Sequence, residues 1–257
     1  MTQNATKNER VVEIFDIFKK HLVKFLEEAQ PNHEEYTEFV KWADRLGRAG
    51  ELPLYMDVFV ETHVLRTVYG DKPGTEPSLL GPFYLENAPL VTEKPYKLPM
   101  REDEKGEKLI FKGQVTDVDG KPLANTLVDF WQDDANGDYS SFGADAPPYN
   151  LRGRFYTDDQ GYFEVETIEP IPYKIPTEGP TGEFLDFIDQ HPYRPAHLHI
   201  KFDQEGYESL ITQVFFSGDK WLESDVADGV RNSLMTDLHD RGDHKEARLD
   251  FVMRKDQ

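Results

Sequence analysis

Apolar and polar positions recur on two different periods along this chain. From Glu9 to Ala29, Val11, Ile14, Phe15, Phe18, Leu22, Phe25 and Leu26 follow helical spacing. Val12, Ile17 and Val23 widen that stripe beyond what one neighbouring helix needs. A second helical pattern passes through Tyr36, Phe39, Val40, Ala43 and Leu46 and stops near Gly47. A third runs from about Leu54 to Tyr69 through Val58, Phe59, Thr62 and Leu65, and Gly70 ends it. Beyond a Pro- and Gly-bearing connection the period becomes two. Leu109, Phe111, Gly113 and Val115 alternate with polar residues, as do Leu127, Asp129 and Trp131 with Val128 and Phe130. Phe163 and Val165, then Leu198, Ile200 and Phe202, then Ile211 to Phe216 and Leu249 to Met253, continue the pattern. Asp119-Gly120, Asn136-Gly137, Gln160-Gly161, Glu205-Gly206 and Ser217-Gly218 mark turns, where glycine reaches positive φ at little cost. The expected fold class is α+β: a helical segment over 1–72, then an antiparallel β-sandwich over 73–257.

Charge narrows the function classes. Among 257 residues, 29 Lys and Arg face 49 Asp and Glu, a net charge of -20. That balance argues against nonspecific nucleic-acid or anionic-membrane binding, which need a basic footprint. The longest uncharged stretch, Ser209 to Gly218, is about half of what a membrane-spanning helix requires. Charges run through the first apolar segment, unlike a secretory signal, so a cytoplasmic location is expected. The absence of cysteine excludes disulfides, thiolate metal sites and a Cys nucleophile. Half of the net charge lies between Asp133 and Gln190, which reads as a solvated loop region. Within it, DDANGD (133–138) resembles a calcium loop only faintly, since Asp138 stands where such a loop needs glycine, and it reads as a turn.

Of eight histidines only His197 and His199 are close in sequence. On a strand, side chains two apart share a face about 6.5–7 Å apart, which would leave Leu198, Ile200 and Phe202 on the core side. The pair can grip one metal ion, or be two partly exposed polar residues. Arg194 precedes it and Gln213 follows on the next expected strand, so one patch would hold two imidazoles, a cation and an amide. Further ligands must be Asp, Glu, Tyr or His, and composition alone favours Fe(II) or Mn(II) held by two histidines and one carboxylate. No Gly-rich phosphate loop and no GxSxG occurs, which weakens nucleotide-dependent and hydrolase readings.

Several segments agree in order with one family: LLGPFYLENAPL (79–90), GKPLANTLVDFWQDDANGDYS (120–140), YNLRGRFYTDDQGYF (149–163), PYKIPTEGP (172–180) and RPAHLHIKF (194–202). Together they resemble the intradiol catechol dioxygenases, non-haem Fe(III) enzymes that split catechols between the two hydroxyl-bearing carbons with O2. The resemblance covers about Leu54 to Arg254. It implies that Tyr139, Tyr173, His197 and His199 bind one Fe(III) per subunit. It implies also that Tyr173 leaves the iron when substrate chelates and takes up a proton as an internal base. Arg194 would stabilise charge on the ring, with Gln213 orienting it. Leu54, Asp57, Leu79, Gly81, Pro82, Phe83, Val226 and Ala227 match pocket positions.

The helical segment is similar to that of the catechol-cleaving branch, where it pairs two subunits into a homodimer and can hold a phospholipid at the interface. The compact length and KIPTEGP after Tyr173 resemble chlorocatechol-cleaving members most, giving chloro-cis,cis-muconates as products. Cleavage of hydroxyquinol or of unsubstituted catechol is the near alternative. A non-catalytic binding or assembly module with structural histidines is the alternative of another class.

Overall fold

The computed structural model describes residues 2–142 and 145–256, with side chains from residue 8 onward. Two compact units are present, 1–49 and 50–257. The first holds helices α1 (Thr2–Ala29) and α2 (His33–Arg48). Asn32 starts α2 with a capping box: its side chain accepts the Glu34 and Glu35 N–H groups, while the Glu35 carboxylate accepts the Asn32 N–H. The apolar stripe of α1 is exposed from Val11 to Leu26, as are Tyr36, Phe39 and Val40 of α2.

The second unit opens with the third expected helix, which is not regular. It runs as α3 (Leu52–Met56), one π-helical turn (Asp57–Glu61) and α4 (Thr62–Tyr69). Strands follow as β1 (Tyr96–Lys97), β2 (Lys108–Asp117), β3 (Leu127–Trp131), β4 (Arg152–Tyr156), β5 (Tyr162–Ile168) and β6 (Tyr173–Lys174). After α5 (Pro180–Phe187) come β7 (Tyr193–Arg194), β8 (His197–Asp203), β9 (Leu210–Phe216), β10 (Met235–Thr236), β11 (His239–Asp240), β12 (Lys245–Arg248) and β13 (Phe251–Met253). One sheet has the order β1-β5-β2-β12-β11, with β13 also on β2; the other has the order β10-β9-β8-β3-β4, and β6 pairs β7 separately.

The sandwich corrects the antiparallel expectation in one respect. The central pairs β2·β5, β3·β4, β3·β8 and β8·β9 are antiparallel, but β1, β10, β12 and β13 each join a neighbour in parallel. Of the central pairs only β8·β9 is a short hairpin, turning at Glu205-Gly206; the other pairs and the parallel strands join over long connections, which alternation cannot reveal. Inward residues interlock between the sheets: Leu109, Phe111 and Val115 from β2, Phe163 and Val165 from β5, and Leu198, Ile200 and Phe202 from β8.

Candidate active site

Strand β8 is buried on both faces, and its period of two divides the work. Leu198, Ile200 and Phe202 enter the core, while His197 and His199 face the other way, each about 1% exposed. The reading of two partly exposed polar residues therefore falls. The Nδ1–H of His197 donates to the Pro195 carbonyl at 2.8 Å, which leaves a lone pair on Nε2. That Nε2 lies 3.0 Å from Nε2 of His199, close enough for one cation to take both.

Two turns deliver the phenols. The expected turn at 134–138 forms: Asp134 Oδ1 accepts the N–H groups of Asn136 (2.8 Å) and Asp138 (3.2 Å), and Gly137 sits at φ +85°. A Cβ on Gly137 would stand 3.0 Å from Cβ of Tyr173, so the glycine lets this turn pack against the second tyrosine. Tyr139 follows the turn, its ring centroid 5.4 Å from that of Tyr173 and 5.9 Å from that of His199. Tyr173 pairs with Arg194 across β6 and β7, which brings its ring to 5.5 Å from His197. All four side chains are buried, and the Tyr139 hydroxyl has no hydrogen-bond partner.

Burial sets the protonation states. It holds His197 down to about 3, helped by the Arg194 charge, and holds His199 well below its ordinary value, helped by His197 and Arg194. Both imidazoles are thus neutral, the state a metal ligand needs. Burial also raises both phenols, Tyr139 with further help from Tyr173 and Asp133, while Arg194 opposes the shift in each. Without a cation the tyrosines keep their protons.

Arg194 is the buried charge of the site. Its Nη1 lies 3.2 Å from His197 Nε2, and its Nη2 donates to Gln213 Oε1 at 3.0 Å. Gln213 in turn donates to the Leu79 carbonyl at 2.9 Å and lies 3.4 Å from His199 Nδ1. The patch expected from Arg194, the histidine pair and Gln213 is therefore one connected group.

The expected pocket residues gather unevenly around it. Leu54 and Val226 pack in one cluster with both tyrosines, and Phe83 stacks on Tyr139 at 4.7 Å. Leu79 and Ala227 are buried, and Gly81, at φ +74°, approaches the His199 ring so closely that a Cβ would meet its Cε1 at 3.4 Å. Pro82 is exposed. Asp57 is half-buried on the π-helical turn, hydrogen-bonded to Glu61 and in the field of Arg194.

Other residues at the site are not singled out by the sequence. Trp131 stacks on His199 at 4.8 Å, and strand alternation could have found it, because it stands opposite His199 in the β3·β8 register. Arg152 is fully buried, donates from Nε to Ser140 Oγ at 2.8 Å and lies 5.7 Å over the Tyr139 ring; burial pulls it down to about 10. Asp225, which pairs with Arg194, carries no spacing signal at all.

The donor set fits a hard trivalent cation. It offers two neutral imidazole nitrogens and two phenol oxygens, one of them an orphan, with no thiolate. Among the described residues no group of three or more His, Cys, Asp or Glu could hold a metal, so the composition default of two histidines and a carboxylate is not formed. A family model described as "Dioxygenase" matches residues 79–255, and "Catechol dioxygenase N terminus" matches 8–72. The chain belongs to the intradiol dioxygenase family. Members of this family are non-haem Fe(III) enzymes. Among its relatives, a chlorocatechol 1,2-dioxygenase of Rhodococcus opacus is 40% identical over 89% of this chain and 90% of its own. The solved 3-chlorocatechol 1,2-dioxygenase of Rhodococcus opacus 1CP superposes with a TM-score of 0.89 at 38% identity, covering 96% of this chain and 99% of that one. The catechol 1,2-dioxygenase of Pseudomonas arvilla C-1 is more distant, at TM-score 0.80 and 30% identity over 95% and 85%. No helix among the described residues of this intradiol dioxygenase is long and apolar enough to cross a membrane.

Proposed function

We propose that this chain cleaves chlorocatechols with O2 between the two hydroxyl-bearing carbons, giving chloro-cis,cis-muconates, with Tyr139, Tyr173, His197 and His199 holding Fe(III). The observation that carries it is the convergence of these four side chains, from three separate segments, into one buried cluster beside Arg194. The chlorocatechol relatives, 32–40% identical, support the substrate class. A hydroxyquinol 1,2-dioxygenase of a Rhizobium strain, 32% identical over 79% of its length, supports the alternative less.

When bound, the ferric ion supplies Lewis acidity that activates a chelated catechol toward O2. The chain's residues do the rest. Leu54, Phe83 and Val226 exclude water from the ring and grip its faces. The two histidines enter as neutral ligands and need release no proton. Tyr173 would take a proton from a catechol hydroxyl on its phenolate oxygen; the nearby guanidinium of Arg194 favours its anionic form. Arg194 places positive charge beside the ring, held there through Gln213.

The functional division is a dimerisation and linker segment over 1–72 and a catalytic domain over 73–257. The exposed stripe of α1, continued by Tyr36, Phe39 and Val40, exceeds what a monomer leaves uncovered. It supports a homodimer, and an apolar surface of this kind could also take phospholipid acyl chains.

The test is the visible spectrum of the purified protein, repeated without oxygen after adding 4-chlorocatechol. A broad charge-transfer band that moves to longer wavelength is expected, and Tyr139→Phe and Tyr173→Phe should weaken it. A protein that stays colourless after iron reconstitution overturns the proposal.

A further inference from the structure

The side chain that decides where the Arg194 charge points is an aspartate outside every matched motif. Asp225 is 2% exposed at its side chain, and its carboxylate takes four donors. On Oδ1 these are Arg194 Nε at 3.1 Å and the Ala227 N–H at 3.2 Å; on Oδ2 they are Arg194 Nη2 at 3.0 Å and the Gly229 N–H at 2.9 Å. Two parallel contacts to one guanidinium fix its plane as well as its position, which a single contact cannot do. The other edge of Arg194 is then committed to His197 Nε2 and Gln213 Oε1.

The same carboxylate shapes the pocket wall. Its backbone donors, Ala227 and Gly229, belong to the turn that presents Val226 and Ala227, and the Asp228 N–H closes that turn on the Asp225 carbonyl at 2.8 Å. Thr62 of α4 donates to the Ala227 carbonyl at 3.0 Å, and Arg66 pairs with Asp228 at 2.7 Å, so the turn is also tied to the helix behind it. Gly229 lies against the ion pair: a Cβ there would stand 2.7 Å from Arg194 Nη2 and 3.1 Å from Asp225 Oδ2. A salt bridge serving stability alone needs neither the bare glycine at 229 nor the two amides.

We propose that Asp225 is a positioning residue for ring cleavage, holding the Arg194 guanidinium in one orientation beside the substrate while it fixes the Val226–Ala227 wall. The inference rests on the chlorocatechol-cleaving reading. Placement of one group off by an ångström can cost about 100-fold in rate, and Asp225 prevents that displacement.

The variant Asp225→Asn keeps the shape but loses the charge and one acceptor. With iron-loaded protein and 4-chlorocatechol, kcat is expected to fall about 30- to 100-fold with KM within about threefold. The resting visible band should not move, because no ligand changes. In an Arg194→Gln background, Asp225→Asn should bring no further loss, since both changes act through one group. Unchanged kcat in the single variant, or a full additional loss in the double one, overturns the proposal. If Asp225→Asn does not fold, Gly229→Ala decides: it presses on Nη2 without removing charge, and an undiminished kcat there also overturns it. Wild-type colour and turnover in the same series report on the chlorocatechol reading itself, so the two failures are separable.

Discussion

The interior of the sandwich and the chamber at the histidine face are equally buried and differ in whether burial is satisfied. Between the sheets, Phe111, Phe130, Phe155, Phe163, Phe202 and Phe251 pack with ring centroids 4.6–6.5 Å apart beside aliphatic neighbours. Nothing in that arrangement asks for a partner. On the other face of β8, the Tyr139 hydroxyl, Trp131 Nε1, Arg152 Nη1 and both Asp133 carboxylate oxygens are buried without one. Such groups are costly in a folded chain; these five atoms lie around the histidine face, while others, on Thr181, His191, Glu208, Trp221 and Arg254, lie elsewhere. One strand separates the two regimes by alternate residues.

The largest effect should come from breaking the interior. Phe163→Ala removes a ring that meets Phe111, Phe155, Phe202 and Phe251, at a cost of about 3–5 kcal/mol. The urea midpoint should drop while the visible band per folded molecule stays as it was. Tyr139→Phe should move both observables in the opposite sense. It deletes an unpaired buried hydroxyl, so the metal-free chain gains about 1 kcal/mol, while iron retention falls and the band weakens. A Tyr139→Phe protein that is less stable and still coloured would falsify the contrast.

How far the sequence discloses these regions differs by mechanism. Period-two patterning identifies β2, β3, β5, β8 and the core side of β8, because each alternation reports one buried face. The Asn136-Gly137 dipeptide, by glycine's access to positive φ, predicts the turn that precedes Tyr139 and packs against Tyr173. The parallel edge strands and the π-helical turn at Asp57–Glu61 leave no such trace, since pairing partner and hydrogen-bond register are tertiary outcomes. Tyr139 and Tyr173 are ordinary tyrosines by spacing and stand out only through the family motifs. Asp225 escapes both routes, and Arg152 lies within the 149–163 motif without a role of its own: one buried charge among 78 charged residues is visible only once its partner is in place.

Acid should separate the regions next. In the metal-free chain His197 is held down to about 3 and His199 well below its ordinary value, whereas unfolding restores both toward 6.5. Between those values the unfolded chain binds more protons, so stability rises with pH and is lost as pH falls from about 6.5 toward 3. From pH 6.5 to 5 the loss is about 2 kcal/mol for His197, and His199 adds to it in the same direction. His197→Gln should flatten that slope in urea titrations by roughly half. Phe163→Leu should lower the whole curve without altering its slope. Equal slopes in wild type and His197→Gln would mean that the histidines are not the buried neutral groups described here.

The smallest effect belongs to the π-helical turn, which mixes the two regimes. Glu61 is raised to about 7, first by burial and then by the Asp57 charge and hydrogen bond, with Arg194 opposing. A carboxyl raised in this way has the opposite sign to the histidines. The folded chain keeps a proton that the unfolded chain releases near 4.5, so the penalty for ionising Glu61 grows as pH rises between 4.5 and 7 and is complete above that. Glu61→Gln removes the charge and can still hydrogen-bond to Asp57. Because the group is half-exposed, the gain at pH 8 should stay below about 1 kcal/mol. Well below pH 4.5 no gain is expected, since both states then carry the proton. Melting temperatures of the two proteins should therefore diverge only on the alkaline side. A constant offset at both pH values would assign the effect to packing on this turn, and the carboxyl pair would then belong with the satisfied interior.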